Sequence, residues 1–219
     1  MTRIAIVGGH GQVARQLVHL LRRADHDPVA LVRNEAYRED LEARGAEVRM
    51  LDIEHQGASD FAAAFAGCGA VVFAAGGGPD GNADRKRTVD LEGSLKSIEG
   101  ARQAGIRRFV QISAIGVDDP LPPDTGAVWR AYVEAKRDAD AALRASGLDW
   151  TILRPGRLTD EAATGRVALG SDVERGDVTR ADVAAVVAAV LDAPESVGRQ
   201  WDLVNGDVPV EEAVHASRP

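Results

Sequence analysis

The chain has 219 residues, of which 45% are hydrophobic and 27% are charged, the balance of an ordinary globular domain. A net charge of −8 disfavours general binding to nucleic acid or to an anionic membrane surface. The N-terminus lacks a basic region followed by an apolar core, and no apolar run approaches the roughly 20 residues that cross a bilayer. The single cysteine, Cys68, cannot form an intramolecular disulfide. These features predict one cytoplasmic domain with neither a nucleic-acid nor a membrane partner.

The first twenty residues predict a strand, a glycine turn and a helix. Residues 4–7 are an apolar, partly β-branched run, and an amphipathic helix follows the turn at residues 8–11. The turn reads as Gly9-x-Gly11-x-x-Ala14 or as Gly8-x-x-Gly11-x-x-Ala14. Glycines in this place let a pyrophosphate approach the backbone and the helix N-terminus, which is typical of dinucleotide-binding proteins. His10, within the turn, either contacts phosphate or faces solvent.

Strands and helices alternate along the rest of the chain. We predict strands at 29–32, 46–51, 70–74, 106–112, 149–153 and 201–204, and helices at 35–44, 59–66, 82–104, 126–146 and 183–191. This alternation predicts an α/β fold with a doubly wound parallel sheet (a Rossmann fold) and a single domain over residues 1–219. The Gly-rich segment 154–180 is expected to form a small irregular cap on the substrate side.

Residues that follow the second and third strands are candidate contacts to the adenosine half of a dinucleotide. Arg33 comes where such proteins meet the ribose, and an arginine there pairs with a 2′-phosphate, so NADP(H) is favoured over NAD(H). The alternative is that Arg33 is an ordinary solvent-exposed arginine. Asp52 and Ile53 are expected near the adenine, although Asp52 is equally suited to cap a helix.

Tyr132 and Lys136 carry the catalytic prediction. At i and i+4 of a helix they share one face, and an ammonium stabilises the phenolate that a proton-transferring tyrosine must form. An isolated pair of this kind is often an ordinary part of an amphipathic helix. Ser113 favours the catalytic interpretation, because it ends the fifth strand, where its hydroxyl could orient a substrate carbonyl. Trp129 is expected on the buried face of the Tyr132 helix.

Several of these motifs together resemble one superfamily. The glycine turn, residues 74–76, Ser113, Tyr132-x-x-x-Lys136 and the Arg-Pro-Gly at 154–156 are similar to the short-chain dehydrogenase/reductase superfamily. More narrowly, nearly the whole chain resembles its atypical single-domain NAD(P)H-binding members, which include biliverdin-reductase-B-like and NmrA-like proteins.

The resemblance assigns roles to individual residues. Lys136 would bind the nicotinamide ribose and lower the pKa of Tyr132, and Ser113 would position the substrate oxygen. Asp90 departs from the pattern, since many members have an asparagine there that supports the lysine. The remaining cofactor contacts that the resemblance implies are Gly8, Gly11, Gln12 and Val13 for the pyrophosphate, Ala74, Ala75 and Gly76 for the adenosine-side ribose, and Pro155 and Gly156 for the nicotinamide.

The resulting expectation is an NADP(H)-dependent oxidoreductase that transfers a hydride to a small carbonyl or conjugated acceptor, with Tyr132 as proton donor. An NADP(H)-binding sensor without turnover is the alternative, and a sugar-nucleotide epimerase is disfavoured because the C-terminal region is short. Arg157 either contacts the unidentified substrate or lies on the surface. The scattered histidines predict no metal site, and both a monomer and a homodimer are compatible with the sequence.

Overall fold

The structure, a computed structural model, describes residues 1–78 and 81–216. The strands are β1 (Arg3–Val7), β2 (Asp27–Val32), β3 (Glu47–Met50), β4 (Ala70–Phe73), β5 (Arg108–Ile112), β6 (Asp149–Pro155), β7 (Arg157–Thr159), β8 (Arg166–Gly170), β9 (Asp177–Thr179), β10 (Arg199–Asn205) and β11 (Val208–Pro209). The helices are α1 (Gln12–Arg23), α2 (Arg38–Ala43), α3 (Ala58–Ala64), α4 (Ala83–Arg85), α5 (Glu92–Gln103), α6 (Ala127–Arg144), α7 (Arg180–Leu191) and α8 (Val210–Ala216).

The main sheet has nine strands in the order β11-β8-β10-β6-β5-β4-β1-β2-β3. The strands from β3 to β10 in that order are parallel, and β8 runs antiparallel to both β10 and β11. The connections reverse direction between β1 and β4, which opens a crevice at the carboxyl ends of these two strands. The predicted doubly wound sheet is confirmed, and its antiparallel edge was not predicted.

Two layers of helices cover the sheet. Helix α1 packs against α7, and α7 against α8, on one face, while α3, α5 and α6 cover the other. The strand β1 shows the pleat directly, because Ile4 and Ile6 join one core cluster and Ala5 and Val7 the other. A strand buried on both faces reads as a continuous apolar run, which is why it was evident in the sequence.

The structure corrects two predicted elements. The helix expected at 82–104 is divided into α4, a π-helical turn at Lys86–Leu91, and α5. The cap expected at 154–180 is not irregular, since β7 and β9 pair in parallel within it and β8 joins the main sheet. Both corrections concern segments that border the cleft. Pro79 and Asp80, in the predicted loop after the fourth strand, lie outside the described residues.

Close packing between α3 and α5 depends on Gly100. A Cβ atom at this position would lie 2.6 Å from Cβ of Phe61 and 3.1 Å from the backbone nitrogen of Ala62. Phe61 is fully buried, so neither neighbour can move without opening the core.

We therefore expect Gly100→Ala to lower the free energy of unfolding by about 1–2 kcal/mol, because overpacking outweighs the helix propensity that alanine gains. Urea denaturation measures the change. Gln103→Ala, on the exposed side of the same helix, serves as the control and should stay within about 0.5 kcal/mol of the wild type. Equal stability of Gly100→Ala and the wild type would contradict this packing argument.

Candidate cofactor and substrate cleft

The glycine turn joins β1 to α1, and backbone atoms rather than side chains form its surface. Gly8 has φ +82°, and a Cβ there would meet Cα of Ala75 at 2.8 Å, so both the conformation and the space require glycine. Gly11 closes the turn by donating from its amide to the carbonyl of Gly8 at 2.9 Å. Helix α1 begins at this point without a side-chain cap and without an acidic residue in its first turn. Its first amides are therefore suited to an anionic group.

Gly9 lies in close contact with β2. Its amide donates to the carbonyl of Leu31 at 3.0 Å, and a Cβ would lie 2.7 Å from that of Ala30. Gly9 lets the turn pack against β2 and lines neither cavity described below. The predicted contact of Gly9 with the cofactor stays a prediction.

Two cavities meet at the glycine turn. The narrow cavity, of about 300 Å³, lies on the β2 side. The predicted residues in its wall are Gly8, His10, Gly11, Arg33, Asp52, Ile53, Ala74, Ala75 and Gly76. The wide cavity, of about 1140 Å³, lies toward β5 and β6. The predicted residues in its wall are Gly11, Gln12, Val13, Ala74, Ala75, Gly76, Ser113, Tyr132, Lys136, Pro155, Gly156 and Arg157.

In the narrow cavity, Arg33 is held by a glutamate that the prediction missed. Its side chain is 57% exposed, and its Nη1 lies 3.2 Å from Oε2 of Glu54. The hydroxyl of Thr88 donates to the other oxygen of Glu54 at 2.9 Å. Glu54 follows Asp52 and Ile53 directly, so the same position after the third strand could have identified it.

Asp52 turns its carboxylate toward its own loop. Oδ1 accepts the backbone amides of Glu54 at 2.9 Å and His55 at 3.2 Å, and Oδ2 lies 3.0 Å from Nδ1 of His55. Burial alone would raise the pKa of Asp52, but these hydrogen bonds outweigh it and the pKa is lowered. The carboxylate thus caps a turn, close to the alternative role that the sequence left open, and Ile53 lines the cavity beside it.

His10 forms one side of the narrow cavity by stacking on Tyr37. The ring centroids are 3.6 Å apart and the planes differ by 2°. Burial and the nearby charge of Arg15 lower the pKa of His10 below its usual range. The imidazole is therefore neutral at neutral pH and faces the cavity as a flat, weakly polar surface.

Lys136 is the buried cation of the wide cavity. Its Nζ donates to the carbonyl of Ile112 at 3.1 Å and lies 3.2 Å from Oδ1 of Asp90. The other oxygen of Asp90 accepts the amide of Gly77 at 2.8 Å. Burial by itself would lower the pKa of Lys136, but the charge and hydrogen bond of Asp90, together with Tyr132 and Asp140, outweigh it and the pKa is raised. Lys136 is thus an ammonium ion, and Asp90 sits in the π-helical turn that broke the predicted helix.

The phenol of Tyr132 lies on the same wall. The Nζ of Lys136 is 6.0 Å from the centroid of its ring. Burial raises the pKa of Tyr132, and the ammonium of Lys136 opposes this without reversing it, because Asp90 and Asp140 add negative charge nearby. The expected lowering of this pKa by the lysine is therefore present as one contribution, and the net direction is the opposite.

Asp140, one helical turn beyond Lys136, organises the floor beneath Ser113. The hydroxyl of Ser113 donates to Oδ2 at 2.8 Å, and the amide of Gln111 donates to Oδ1 at 2.7 Å. Nε of Arg154 donates to Oδ2 at 2.9 Å. Burial raises the pKa of Asp140, and these donors offset part of that rise. The sequence signal for Asp140 was its i+4 spacing from Lys136, and the arginine of the Arg-Pro-Gly motif is its partner.

The structure brings the predicted catalytic residues together but changes what Ser113 offers. A serine hydroxyl has one proton, and that of Ser113 is directed at Asp140. Its lone pairs remain for a donor on a bound molecule. Trp129, expected on the buried face of α6, is instead 55% exposed and lines the wide cavity.

No cluster of histidine, cysteine or carboxylate side chains suited to a metal ion is present in residues 1–78 and 81–216. Within the same described ranges, none of the helices combines the length and the apolar character needed to span a bilayer.

A parallel sheet with a glycine turn at the carboxyl end of β1, and with cavities on both sides of that turn, defines a Rossmann-type dinucleotide-binding protein. Residues 8–194 match the model of a family described as NAD(P)H-binding, and the chain belongs to this family. The expected membership of an NAD(P)H-binding family with a Rossmann fold is confirmed.

Three similar proteins illustrate the family. YhfK of Bacillus subtilis, named as an uncharacterized sugar epimerase, is 40% identical over 213 residues, which cover 97% of this chain and 98% of YhfK. A provisionally named NAD-dependent epimerase/dehydratase of Bacillus halodurans is 40% identical with a TM-score of 0.90, covering 99% of this chain and 100% of its own. ChuY, an anaerobillin reductase of Escherichia coli O157:H7, is 29% identical with a TM-score of 0.77, covering 94% and 98%.

Because Asp140 is fully buried, we expect Asp140→Asn to lower the free energy of unfolding by about 3 kcal/mol, since it removes the buried one of the two carboxylates, Asp140 and Asp118, that compensate Arg154. Thermal or urea denaturation measures the loss. Asp149→Asn removes the carboxylate of an exposed arginine pair and should leave stability nearly unchanged. If the two variants unfold alike, the charge of Asp140 is not what stabilises this floor.

Proposed function

We propose that the protein is an NAD(P)H-dependent oxidoreductase that reduces a small carbonyl or conjugated acceptor, with Tyr132 as the proton donor. The observation that carries the proposal is the position of Tyr132, Lys136 and Ser113 on one wall of a cavity that also includes the first turn of α1. The uncapped amides of α1 fit the pyrophosphate of a dinucleotide. When bound, the reduced nicotinamide supplies the hydride.

The residues of the chain would manage the proton. As the substrate carbon gains the hydride, its oxygen gains the hydroxyl proton of Tyr132, and the ammonium of Lys136 stabilises the phenolate that remains. Asp90 holds that ammonium in place from the far side. Ser113 would accept a hydrogen bond from a donor on the substrate, because its own proton is directed at Asp140.

We propose NADP(H) as the preferred cofactor, with Arg33 as the residue that binds the 2′-phosphate. Arg33 lines the narrow cavity at the end of β2. In the structure it pairs with Glu54, so a 2′-phosphate must compete with this carboxylate. The preference for NADP(H) over NAD(H) is therefore moderated by Glu54.

Two alternative functions follow from the same site. A cofactor-binding sensor would bind NADP(H) tightly, would not turn over carbonyl or quinone substrates, and would have a partner whose affinity depends on the cofactor. A sugar-nucleotide epimerase, less favoured, would interconvert sugar nucleotides without a net change in the cofactor. The proposed reductase is distinguished from both by net oxidation of NADPH.

Replacing Tyr132 with phenylalanine tests the proton donor. With 9,10-phenanthrenequinone or another accepted carbonyl, Tyr132→Phe should lower kcat about 100-fold or more, because the oxygen loses its general acid. Cofactor binding, measured by NADPH fluorescence, should change little, which assigns the loss to the chemical step.

The pH profile of the wild type adds a second readout. Oxidation of the alcohol product requires the phenolate, and the pKa of Tyr132 is raised above its usual value of about 10. The oxidation rate should therefore rise from pH 7 to 10 without a plateau, while reduction, which needs the phenol, holds over this range. Full turnover by Tyr132→Phe, or a plateau near neutral pH, would contradict the assignment.

The cofactor preference is tested by changing each member of the Arg33–Glu54 pair. Arg33→Gln should weaken NADPH binding about tenfold and leave NADH binding nearly unchanged, because only the phosphate loses a charged partner. Glu54→Gln should act in the opposite direction and tighten NADPH binding. Fluorescence titration with both cofactors measures these changes, and equal affinity of the wild type for NADPH and NADH would rule out the role of Arg33.

A further inference from the structure

We infer that the wide cavity takes an amphipathic anion, a flat apolar body that carries a carboxylate, and that Arg157, Arg175 and Arg180 bind its charged group. This inference deepens the proposed reductase by naming a class of substrate. Arg157 and Arg175 lie between β6 and α7, Arg180 is the first residue of α7, and all three line the same cavity as Tyr132.

Two of these arginines are positioned by a close backbone contact that leaves no room for a side chain. A Cβ on Gly156 would lie 2.0 Å from the carbonyl oxygen of Gly176, so the two chain segments touch through glycine alone. The amide of Arg157 donates to that same oxygen at 3.0 Å. Arg157 and Arg175 are therefore the residues that flank a single fixed junction.

Arg175 also crosses to the loop after β5. A Cβ on Gly116 would lie 1.9 Å from its Nη2, so the guanidinium occupies space that only glycine leaves open. The same Nη2 donates to Oδ2 of Asp119 at 2.7 Å. Arg175 is thus held at the cavity by a contact with the loop after β5, although its side chain is largely exposed.

Each arginine is held by one carboxylate that lies outside the cavity wall. Arg157 pairs with Asp177, Arg175 with Asp119, and Arg180 with Asp160. The side chains of Arg157 and Arg175 are 76% and 61% exposed, and exposed ion pairs contribute little free energy. A guanidinium has five N–H donors, so each arginine can donate to a ligand carboxylate beside or in place of its partner.

Part of the cavity wall is apolar. Trp129 is 55% exposed and Val128 36% exposed, although both are large hydrophobic side chains on α6. Ile115 and Leu158 continue this surface. Exposed apolar area beside a set of cations indicates a ligand with both characters, and the overall charge of −8 makes this local positive charge distinctive.

Among the described residues that line the cavity, positively charged side chains outnumber carboxylates. Asp90 is the carboxylate among the described lining residues, and it is already paired with Lys136. The diphosphate of a dinucleotide would lie at the glycine turn, at the other end of the cavity. The arginines of the β6–α7 segment are therefore available to the substrate.

The test compares two probes that differ only in charge, anthraquinone-2-carboxylate and anthraquinone-2-carboxamide. Isothermal titration calorimetry on the protein saturated with NADP⁺, or with NAD⁺ if that binds more tightly, should give about tenfold tighter binding of the carboxylate. The double variant Arg157→Gln/Arg175→Gln should lower the ratio to a few-fold, with Arg180 as the remaining cation, and adding Arg180→Gln should bring it close to one. Arg107→Gln, an exposed arginine paired with Asp149 before β5, is the matched control and should keep the ratio.

Removing the competing carboxylates should have the opposite effect. Asp119→Asn and Asp177→Asn free the guanidinium groups for the ligand, so the carboxylate probe should bind several-fold more tightly and the carboxamide equally well. This gain cannot come from misfolding. Equal affinity for the two probes in the wild type, or a ratio that the arginine variants leave unchanged, would overturn the inference.

The same probes separate this inference from the proposed function, because both quinones can accept a hydride. Discrimination between them with NADPH oxidation supports both proposals. Discrimination without NADPH oxidation supports the anionic site and contradicts the reductase. Oxidation of NADPH at equal rates with the two probes, together with equal affinity, supports the reductase and overturns the anionic site.

Discussion

The buried carboxylate of Asp140 is the constraint on which the cleft depends. It lies on α6 and receives hydrogen bonds from Gln111 and Arg154, on β5 and β6, and from Ser113 just after β5. The helix that carries Tyr132 is therefore tied to the two strands whose carboxyl ends form the floor of the wide cavity. Since each donor is buried, displacement of α6 would leave several polar groups without partners in a medium that solvates them poorly.

Helix α6 carries two buried charges of opposite sign, one turn apart. Lys136 is balanced by Asp90 and Asp140 by Arg154, so each charge has its partner on a different element. Buried pairs of this kind contribute little net stability compared with apolar packing, but they strongly penalise arrangements that separate the partners. The pattern accounts for an aspartate at position 90. With Asp90 the ammonium is held by a direct charge contact, where an asparagine would offer only a neutral dipole.

The fold and many of the residues that line the cleft could be predicted from the sequence, because both depend on local patterns. Buried parallel strands are apolar runs, and the glycine turn lies where one of them meets a helix, so β1 and Gly11 were recognisable without tertiary information. Asp140 and Glu54 were missed because their roles arise from partners 14 to 34 residues distant in the chain. The antiparallel β8 was missed for the same reason, since its pairing with β10 depends on residues more than 30 positions later in the chain.

The charged side chains are distributed unevenly between the two ends of the cleft. In the narrow cavity, Arg33 is already engaged by Glu54, which would moderate its attraction for an anion. The far rim offers arginines whose carboxylate partners stand outside the wall, so their field extends into the cavity. Between the two, the lysine that faces Tyr132 is neutralised by Asp90. A bound anion would then be drawn to the rim and kept from the ammonium at Tyr132, which places the uncharged, reducible part of the ligand beside the phenol.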